Sequence, residues 1–368
     1  MSKRKDFINY VKHGGKRPVC SPQIGAGAGF DAKTLGKPYA AIEDTVKVCN
    51  MFDMLPLYNF GLDVREADKK LVWEPRGERK QENVTVSRSV IETPYGDLVN
   101  EVSSTPDGHA YRSGDPVRGV EDYDKFSWYL DQIYGGDFTG FEKAAAGANK
   151  LIGQGGAIDF QWGMQPYELF GMPSTLNTML FAMDNEEEFT SLAEKCCAIS
   201  LKVIDAVADG GADFVFLGGP AAEMVNPYIY DTFMVPFGKR TADRAHKKGL
   251  LVYSHVCSPV EPFLSLGYFN KLGIDLFETL SMPPVGNVKS IEDAFTKLDG
   301  GICTRGNIGI DVLINGEPRQ VTELVYHIMR EAIKAKRKHM VAASDYLMSE
   351  CKFENVKALC DAVKNFKE

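Results

Sequence analysis

The chain has 368 residues, enough for one large α/β barrel or two ordinary domains. Its 44% hydrophobic and 25% charged residues are the proportions of a globular protein, and a net charge of −8 lacks the basic excess of a nucleic-acid binder. No apolar run reaches the roughly 18 residues of a membrane-spanning helix, and the charged N-terminus, MSKRKDFINYVKHGGKRP, has no signal-peptide apolar segment behind it. The eight cysteines, at 20, 49, 196, 197, 257, 303, 351 and 360, form no disulfide framework, so reduced thiols and a cytoplasmic location are expected.

Residues 3–13 read as a short amphipathic helix, and Pro18-Val19-Cys20 as a brief strand. A Gly-rich loop follows, with glycines at 25, 27 and 29. The third glycine of a dinucleotide fingerprint would fall at position 30, which is Phe, so the loop reads as a cover over a pocket mouth. Residues 38–51 are helical in pattern, and Met54–Phe60 is apolar enough for a strand. Val84, Val86 and Val90 alternate with polar residues, Pro94-Tyr95-Gly96-Asp97 signals a turn, and Leu98–Val102 alternates again. This predicts a β-hairpin excursion within 83–105.

Beyond it strands and helices alternate. Strands are expected at Ala157–Trp162, Asp213–Leu217, Leu250–Ser254, Asp275–Phe277, Gly301–Thr304 and Met340–Ala343. Helical patterns cover 121–134, 140–152, 185–209, 227–248, 259–271, 288–298, 318–336 and 353–366, with another helix or turn starting at Pro166–Leu169. The helix at 185 carries three glutamates in its first turn, matching the positive end of its dipole. Strands joined by helical crossovers argue for a parallel sheet. The length and the number of units favour a single α/β domain over 1–368, a distorted (β/α)8 barrel with an N-terminal extension.

Such a barrel places its active site at the C-terminal ends of the strands. The positions to inspect are Trp162, Gly218–Glu223, His255–Cys257, Glu278, Arg305–Asn307 and Ser344–Asp345. His255 and Cys257 stand out. They are a borderline and a soft metal ligand two residues apart, and on an extended segment both point to one side. Read blandly, they are a core histidine and a buried thiol. Arg305 and Asn307 either orient a substrate or hydrogen-bond loop backbone. Glu278 and Asp345 are catalytic or ligating carboxylates, or loop caps. Phe160, Trp162, Met164 and Tyr167 form an aromatic pocket or simply core. His327, His339 and the run Lys334 to His339 read as structural and solvated.

Several stretches, taken in order, resemble the uroporphyrinogen decarboxylase superfamily and its cobamide-dependent methyltransferases. They are ETPYGDL (92–98), YELFGM (167–172), GGADFVFLGG (210–219), NPYIYDTFMVPF (226–237), YSHVCSPV (253–260), GIDLFETLSMPPVGNV (273–288), GNIG (306–309) and FENVKAL (353–359). The resemblance implies a distorted (β/α)8 barrel, in agreement with the strand count. The decarboxylase's N-terminal loop carries arginines for a polycarboxylate substrate, whereas PQIGAGAGFD here contains no cation. The methyltransferase branch is therefore the better match.

That branch holds zinc with a His-x-Cys pair and a further Cys near the end of the last barrel strand. His255 and Cys257 match the pair, and the third position falls at about Ser344. The resemblance thus leaves Glu278, Asp345, Cys303 or Cys351 to complete the site. Glu278 and Asp345 end strands and are preferred; Cys303 lies earlier in its strand and Cys351 in a loop. Glu278, Arg305, Asn307 and Asp345 are the candidate catalytic residues.

The function expected is a zinc-dependent transfer of a methyl group from a small methylated substrate, an O-methyl compound such as an aromatic methyl ether being favoured. The acceptor is the cobalt of a corrinoid (cobalamin) carried by a partner protein, since no corrinoid-binding domain is evident in the sequence. The alternatives are a methylcobamide:thiol methyltransferase, a metal-free decarboxylase-like lyase and a non-catalytic binding barrel. A homo-oligomer stays open, and neither nucleic acid nor membrane is an expected partner.

Overall fold

A computed structural model of the chain describes residues 2–25, 29–106, 110–114, 117–163, 165, 175–219, 222 and 225–367. In chain order its strands are β1 (Val19–Cys20), β2 (Leu57–Leu62), β3 (Glu74–Gln81), β4 (Val84–Thr93), β5 (Gly96–Ser104), β6 (Ala110–Gly114), β7 (Ala157–Trp162), β8 (Phe214–Phe216), β9 (Leu251–His255), β10 (Leu276–Glu278), β11 (Cys303–Ile308) and β12 (His339–Ala343). Eight of them form one parallel sheet in the order β1-β12-β11-β10-β9-β8-β7-β2. The two edge strands are the first two barrel strands in sequence. The Leu55 N–H donates to the Cys20 carbonyl at 2.9 Å and the Ser21 hydroxyl to the Leu55 carbonyl at 2.6 Å. Those bonds bring the edges together, so the sheet curls into a distorted (β/α)8 barrel with helices outside.

Side chains alternate along each strand, so every second residue points inward. The innermost layer at the N-terminal end is apolar: Leu57, Ala157, Phe214, Leu251, Leu276, Cys303 and Met340. The helix Lys3–His13 seals that end with Phe7, Tyr10 and Val11. Its start is capped by the Ser2 hydroxyl, which accepts from the Lys5 N–H. Phe7 meets Phe214 edge-on at 5.5 Å, Tyr10 donates to the His339 carbonyl at 2.8 Å, and Arg4 pairs with Asp213 at 2.8 Å. The expected N-terminal extension is thus the floor of the barrel.

The excursion is larger than the expected hairpin. It is a four-stranded antiparallel sheet, β3-β4-β5-β6. Of its two extra strands, β3 and β6, strand β3, EPRGERKQ, is exposed at every position, so no apolar period betrays it in the sequence. Cross-strand pairs hold it instead, Arg76 with Glu92 at 2.6 Å and Arg79 with Glu101 at 3.3 Å. Charges along an edge strand also discourage pairing with other chains.

Two other expectations change. The helix expected over 259–271 is two short ones, Glu261–Ser265 and Tyr268–Lys271, separated at Gly267, whose φ of +68° breaks the turn. Strand β11 does not stop at Thr304; it runs to Ile308, so Arg305 and Asn307 are buried strand residues rather than loop residues. No helix among the described residues is long and apolar enough to cross a membrane.

Phe7 is fully buried against the strand starts. Replacing it with Ala opens a cavity where the helix seals the barrel. Phe7→Ala is expected to destabilise the fold by about 3–5 kcal/mol, read as a lowered denaturation midpoint at unchanged m-value.

Candidate metal centre at the barrel mouth

Parallel pairing sets His255, Glu278 and Arg305 side by side. Glu278 is in register with His255 on β9 and with Arg305 on β11. Three polar residues that end or interrupt three apolar strands therefore face each other at one level. His255 Nδ1 lies 3.1 Å from Glu278 Oε1. Glu278 Oε2 accepts from Arg305 Nε, and Gln23, just past β1, donates its amide to Glu278 Oε1. Glu278 and Arg305 are both 1% exposed.

Burial alone would raise the Glu278 carboxyl; the Arg305 guanidinium and the His255 ring outweigh it and hold Glu278 below the ordinary carboxylate range. At His255, burial works against the charged ring, but hydrogen bonds to Cys257 and Glu278 prevail and hold its pKa up to about 10. His255 is thus proton-bearing in the metal-free chain, and a metal would have to displace that proton.

With Nδ1 turned to Glu278, the other ring nitrogen faces outward along the strand. His255 Nε2 lies 3.9 Å from Asp345 Oδ1. His255, Cys257 and Asp345 each offer a ligand atom within 4.8 Å of the others. Asp345 is placed by the turn after β12, where its Oδ1 accepts from the Tyr346 N–H at 2.7 Å. The Tyr346 ring then lies along His255, with centroids 5.4 Å apart. Imidazole nitrogen, thiolate sulfur and carboxylate oxygen form a legitimate zinc donor set, and a carboxylate on the far ring nitrogen is the usual way such a histidine is oriented. The residues present therefore fit a zinc ion. A second group of ligand types among the described residues, Glu292, His327 and Glu331, lies on outer helices, and Glu331 also pairs there with Lys334 at 3.1 Å.

The structure sorts the other predicted positions. Glu278 is next to the ligand cluster, yet its two oxygens are engaged by Arg305, Gln23 and His255, so it orients a ligand rather than being one. Cys303 is not brought to the site. It lies one inward step below Arg305, in the apolar layer against the N-terminal helix. Its thiol is pushed up to about 12 by burial, which disfavours a ligating thiolate. Cys351 is buried in the loop before the last helix. Asn307 donates to the Leu280 carbonyl at 3.2 Å and so fixes the loop after β10. A Cβ on neighbouring Gly306 would collide with the Thr279 carbonyl, so this loop needs glycine there. Ser344 lines a separate cavity of about 270 Å³ between helices Ile291–Lys297 and Pro318–Lys334.

Phe160 and Trp162 face outward into the core. Phe160 stacks on Phe60 at 5.6 Å, and Trp162 donates to the Ser200 hydroxyl at 3.1 Å. His339 is fully buried beside Thr304 and Phe295, and burial drops it to about 3. Met164, Pro166 to Leu169, Tyr167 and the stretch YELFGM, together with Gly27, Pro220 and Glu223, lie outside the described residues.

Residues that the sequence reading passed over complete the interior. Asn59, Asp159, Gln161 and Tyr253 point inward from β2, β7 and β9. The Tyr253 hydroxyl donates to Asp159 Oδ2 at 3.0 Å, while Asn59 donates to the same oxygen at 2.8 Å. Gln161 donates to the Tyr253 hydroxyl at 2.6 Å. Asp159 is fully buried, and this desolvation, with Glu278 nearby, lifts its pKa to about 8 against the hydrogen bonds that lower it. The signal was present: an aspartate in the middle of an apolar parallel strand is a polar group that must be buried.

Two outcomes follow. Arg305→Ala leaves the Glu278 charge buried without its cation and is expected to cost about 3–5 kcal/mol, whereas Arg305→Met with Glu278→Met recovers most of that loss in the same denaturation assay. Asp159 titrates near 8 in the folded chain and ordinarily at 3.8. Its raised value favours folding fully at low pH, and that contribution is lost as pH rises from about 4 through about 8. Asp159→Asn removes this dependence, so the variant's stability, followed by thermal melts from pH 5 to 9, gains on the parent as pH rises.

Residues 168–366 match the uroporphyrinogen decarboxylase (URO-D) family. Among solved structures, a methyltransferase from Methanosarcina mazei superposes with a TM-score of 0.64 over 99% of this chain and 98% of that one, at 14% identity. At that identity the likeness is one of fold. No curated protein sequence matches significantly. The family match spans more than half of the chain and takes in strands β8 to β12 with His255, Cys257 and Asp345: the chain belongs to the uroporphyrinogen decarboxylase (URO-D) family.

Proposed function

We propose that this protein is a zinc-dependent methyltransferase. It moves a methyl group from a small O-methyl compound, such as an aromatic methyl ether, to the cobalt of a corrinoid on a partner protein. The single observation that carries this reading is the donor set His255, Cys257 and Asp345 at the mouth of a URO-D barrel, with His255 oriented by Glu278. The methyltransferase of M. mazei shares the fold, which agrees with it.

His255, Cys257 and Asp345 would hold the ion. When bound, zinc supplies Lewis-acid polarisation of the ether oxygen and makes it a better leaving group. The chain's own residues do the rest. Glu278 accepts the Nδ1 proton of His255 and leaves Nε2 free to ligate. Arg305 keeps Glu278 ionised. Tyr346 closes one side of the imidazole against water. One thiolate among the ligands, in place of two, leaves an ion more electrophilic and better suited to an oxygen leaving group than to activating a thiol. The burial of Cys303 at the closed end of the barrel agrees with this reading, because a second thiolate from Cys303 is what would favour the thiol-transfer alternative.

Purified protein loaded with zinc and dialysed is expected to retain the ion stoichiometrically. It should transfer methyl from methoxyaromatics to cob(I)alamin, followed by the change in the corrinoid spectrum. Cys257→Ala and His255→Ala lose both properties, and Glu278→Gln weakens zinc binding by about 10–100-fold. A parent protein that holds no zinc, or a Cys257→Ala variant with full activity, removes the metal reading. A parent that demethylates thioethers or amines but no ether removes the O-methyl assignment.

A further inference from the structure

We propose that Asp159 is the acid of this reaction, handing a proton to the substrate oxygen as its methyl group leaves. This rests on the O-methyl reading of the site. A methyl ether is a poor leaving group because its departing oxygen is strongly basic. A proton donor placed within the barrel answers that difficulty independently of the metal.

The geometry singles out Asp159 among the buried acids. It is fully buried, and its partners Asn59, Tyr253 and Gln161 are all neutral. All of them meet Oδ2; among the described residues Oδ1 is buried with no hydrogen-bond partner. A buried carboxylate with three neutral donors on one oxygen and none on the other leaves that second oxygen as the site for a proton. The resulting O–H is then a donor without an acceptor among the described residues. The charged groups facing this cluster reinforce the assignment. Glu278, across the barrel, disfavours a second negative charge, and Arg305 bonds Glu278 through Nε. Desolvation places the Asp159 titration at about 8, so the proton is present, and transferable, at neutral pH.

Asp159 also connects to the metal cluster. Tyr253 is one inward step below His255 on β9. Gln161, on the strand of Asp159, donates to the Tyr253 hydroxyl at 2.6 Å, and Tyr346 lies along His255. The acid is therefore linked to the ligand cluster through Tyr253, one inward step below His255.

In the step itself the methyl C–O bond breaks and its electron pair stays on oxygen. That pair takes the proton from Asp159 Oδ1. The methyl carbon bonds to the cobalt(I) of the corrinoid acceptor through the cobalt electron pair. Asp159 is left as a carboxylate, steadied by Asn59 and Tyr253, and solvent restores its proton before the next turnover. The sum is ether, cobalt(I) and one proton giving alcohol or phenol and methylated cobalt.

Asp159→Asn is a discriminating variant. The amide keeps an oxygen to accept from Asn59 and Tyr253 and an N–H where the acid O–H pointed, but it has no proton to give. With zinc-loaded protein and cob(I)alamin, transfer from 4-methoxytoluene, whose phenolate is basic, is expected to fall by about 100-fold or more. Transfer from 4-nitroanisole, whose phenolate needs no proton, falls far less. In the parent protein, single-turnover transfer from 4-methoxytoluene is slower in D2O than in H2O, and the difference vanishes with 4-nitroanisole. That isotope measurement needs no variant to fold. Equal losses on both ethers in Asp159→Asn, or a parent without a solvent isotope effect on 4-methoxytoluene, overturns the role of Asp159 while leaving the methyltransferase reading in place. A parent that takes methyl from no ether overturns both.

Discussion

The site depends on one buried carboxylate. Glu278 lies between Arg305 and His255 in adjacent strands of a parallel sheet, and these two partners offset the burial of its charge. Such a pair is poor evidence of stability, since removing two charges from water costs about as much as their attraction returns. Its consequence is orientation. A permanently ionised Glu278 fixes which nitrogen of His255 looks inward to the sheet and which looks out to Cys257 and Asp345. Together with the His255 ring, Arg305 holds that carboxyl below its ordinary range, and the ionised Glu278 in turn gives the imidazole its direction.

The same interior holds a second buried acid in the opposite state. Asp159 has neutral partners and no cation, so desolvation keeps its proton on, while Glu278 beside its arginine stays charged. Two carboxyls in one chamber whose environments push their protonation apart is a recurrent arrangement for acid–base chemistry. Here the difference comes from register alone. Glu278 is in register with Arg305 on the adjacent strand, while Asp159 points inward from β7 among neutral partners and Arg305 is already taken.

The polar interior requires a closed floor. The N-terminal helix supplies it by packing Phe7, Tyr10 and Val11 against the first inward residue of each strand. That end of the barrel is thereby closed, and the polar groups of the candidate site lie at the other, where the strands end. Cys303 shows how sharp the boundary is. Only Thr304 separates it from Arg305 on the same strand, and the two share a face, yet one belongs to the floor and the other to the candidate site.

The sequence by itself determined the succession of strands and helices, because parallel strands covered on both faces read as plain apolar runs between helical patterns. It also singled out His255 and Cys257 as candidate ligands at the end of an apolar run, although strand β9 ends at His255 and Cys257 lies just past it. It did not determine their companions. Asp345 and Glu278 were equal candidates for the metal until the register showed that the oxygens of Glu278 are already taken by Arg305, Gln23 and His255, residues 27, 255 and 23 positions away in the chain. Strand β3 escaped for want of any apolar residue, and Asp159 and Tyr253 because a polar side chain inside a strand shows its meaning only beside its cross-barrel partners. Periodicity is local and is written in the residues themselves; partnership across a closed sheet depends on which strands the fold brings together, and only the tertiary structure decides that.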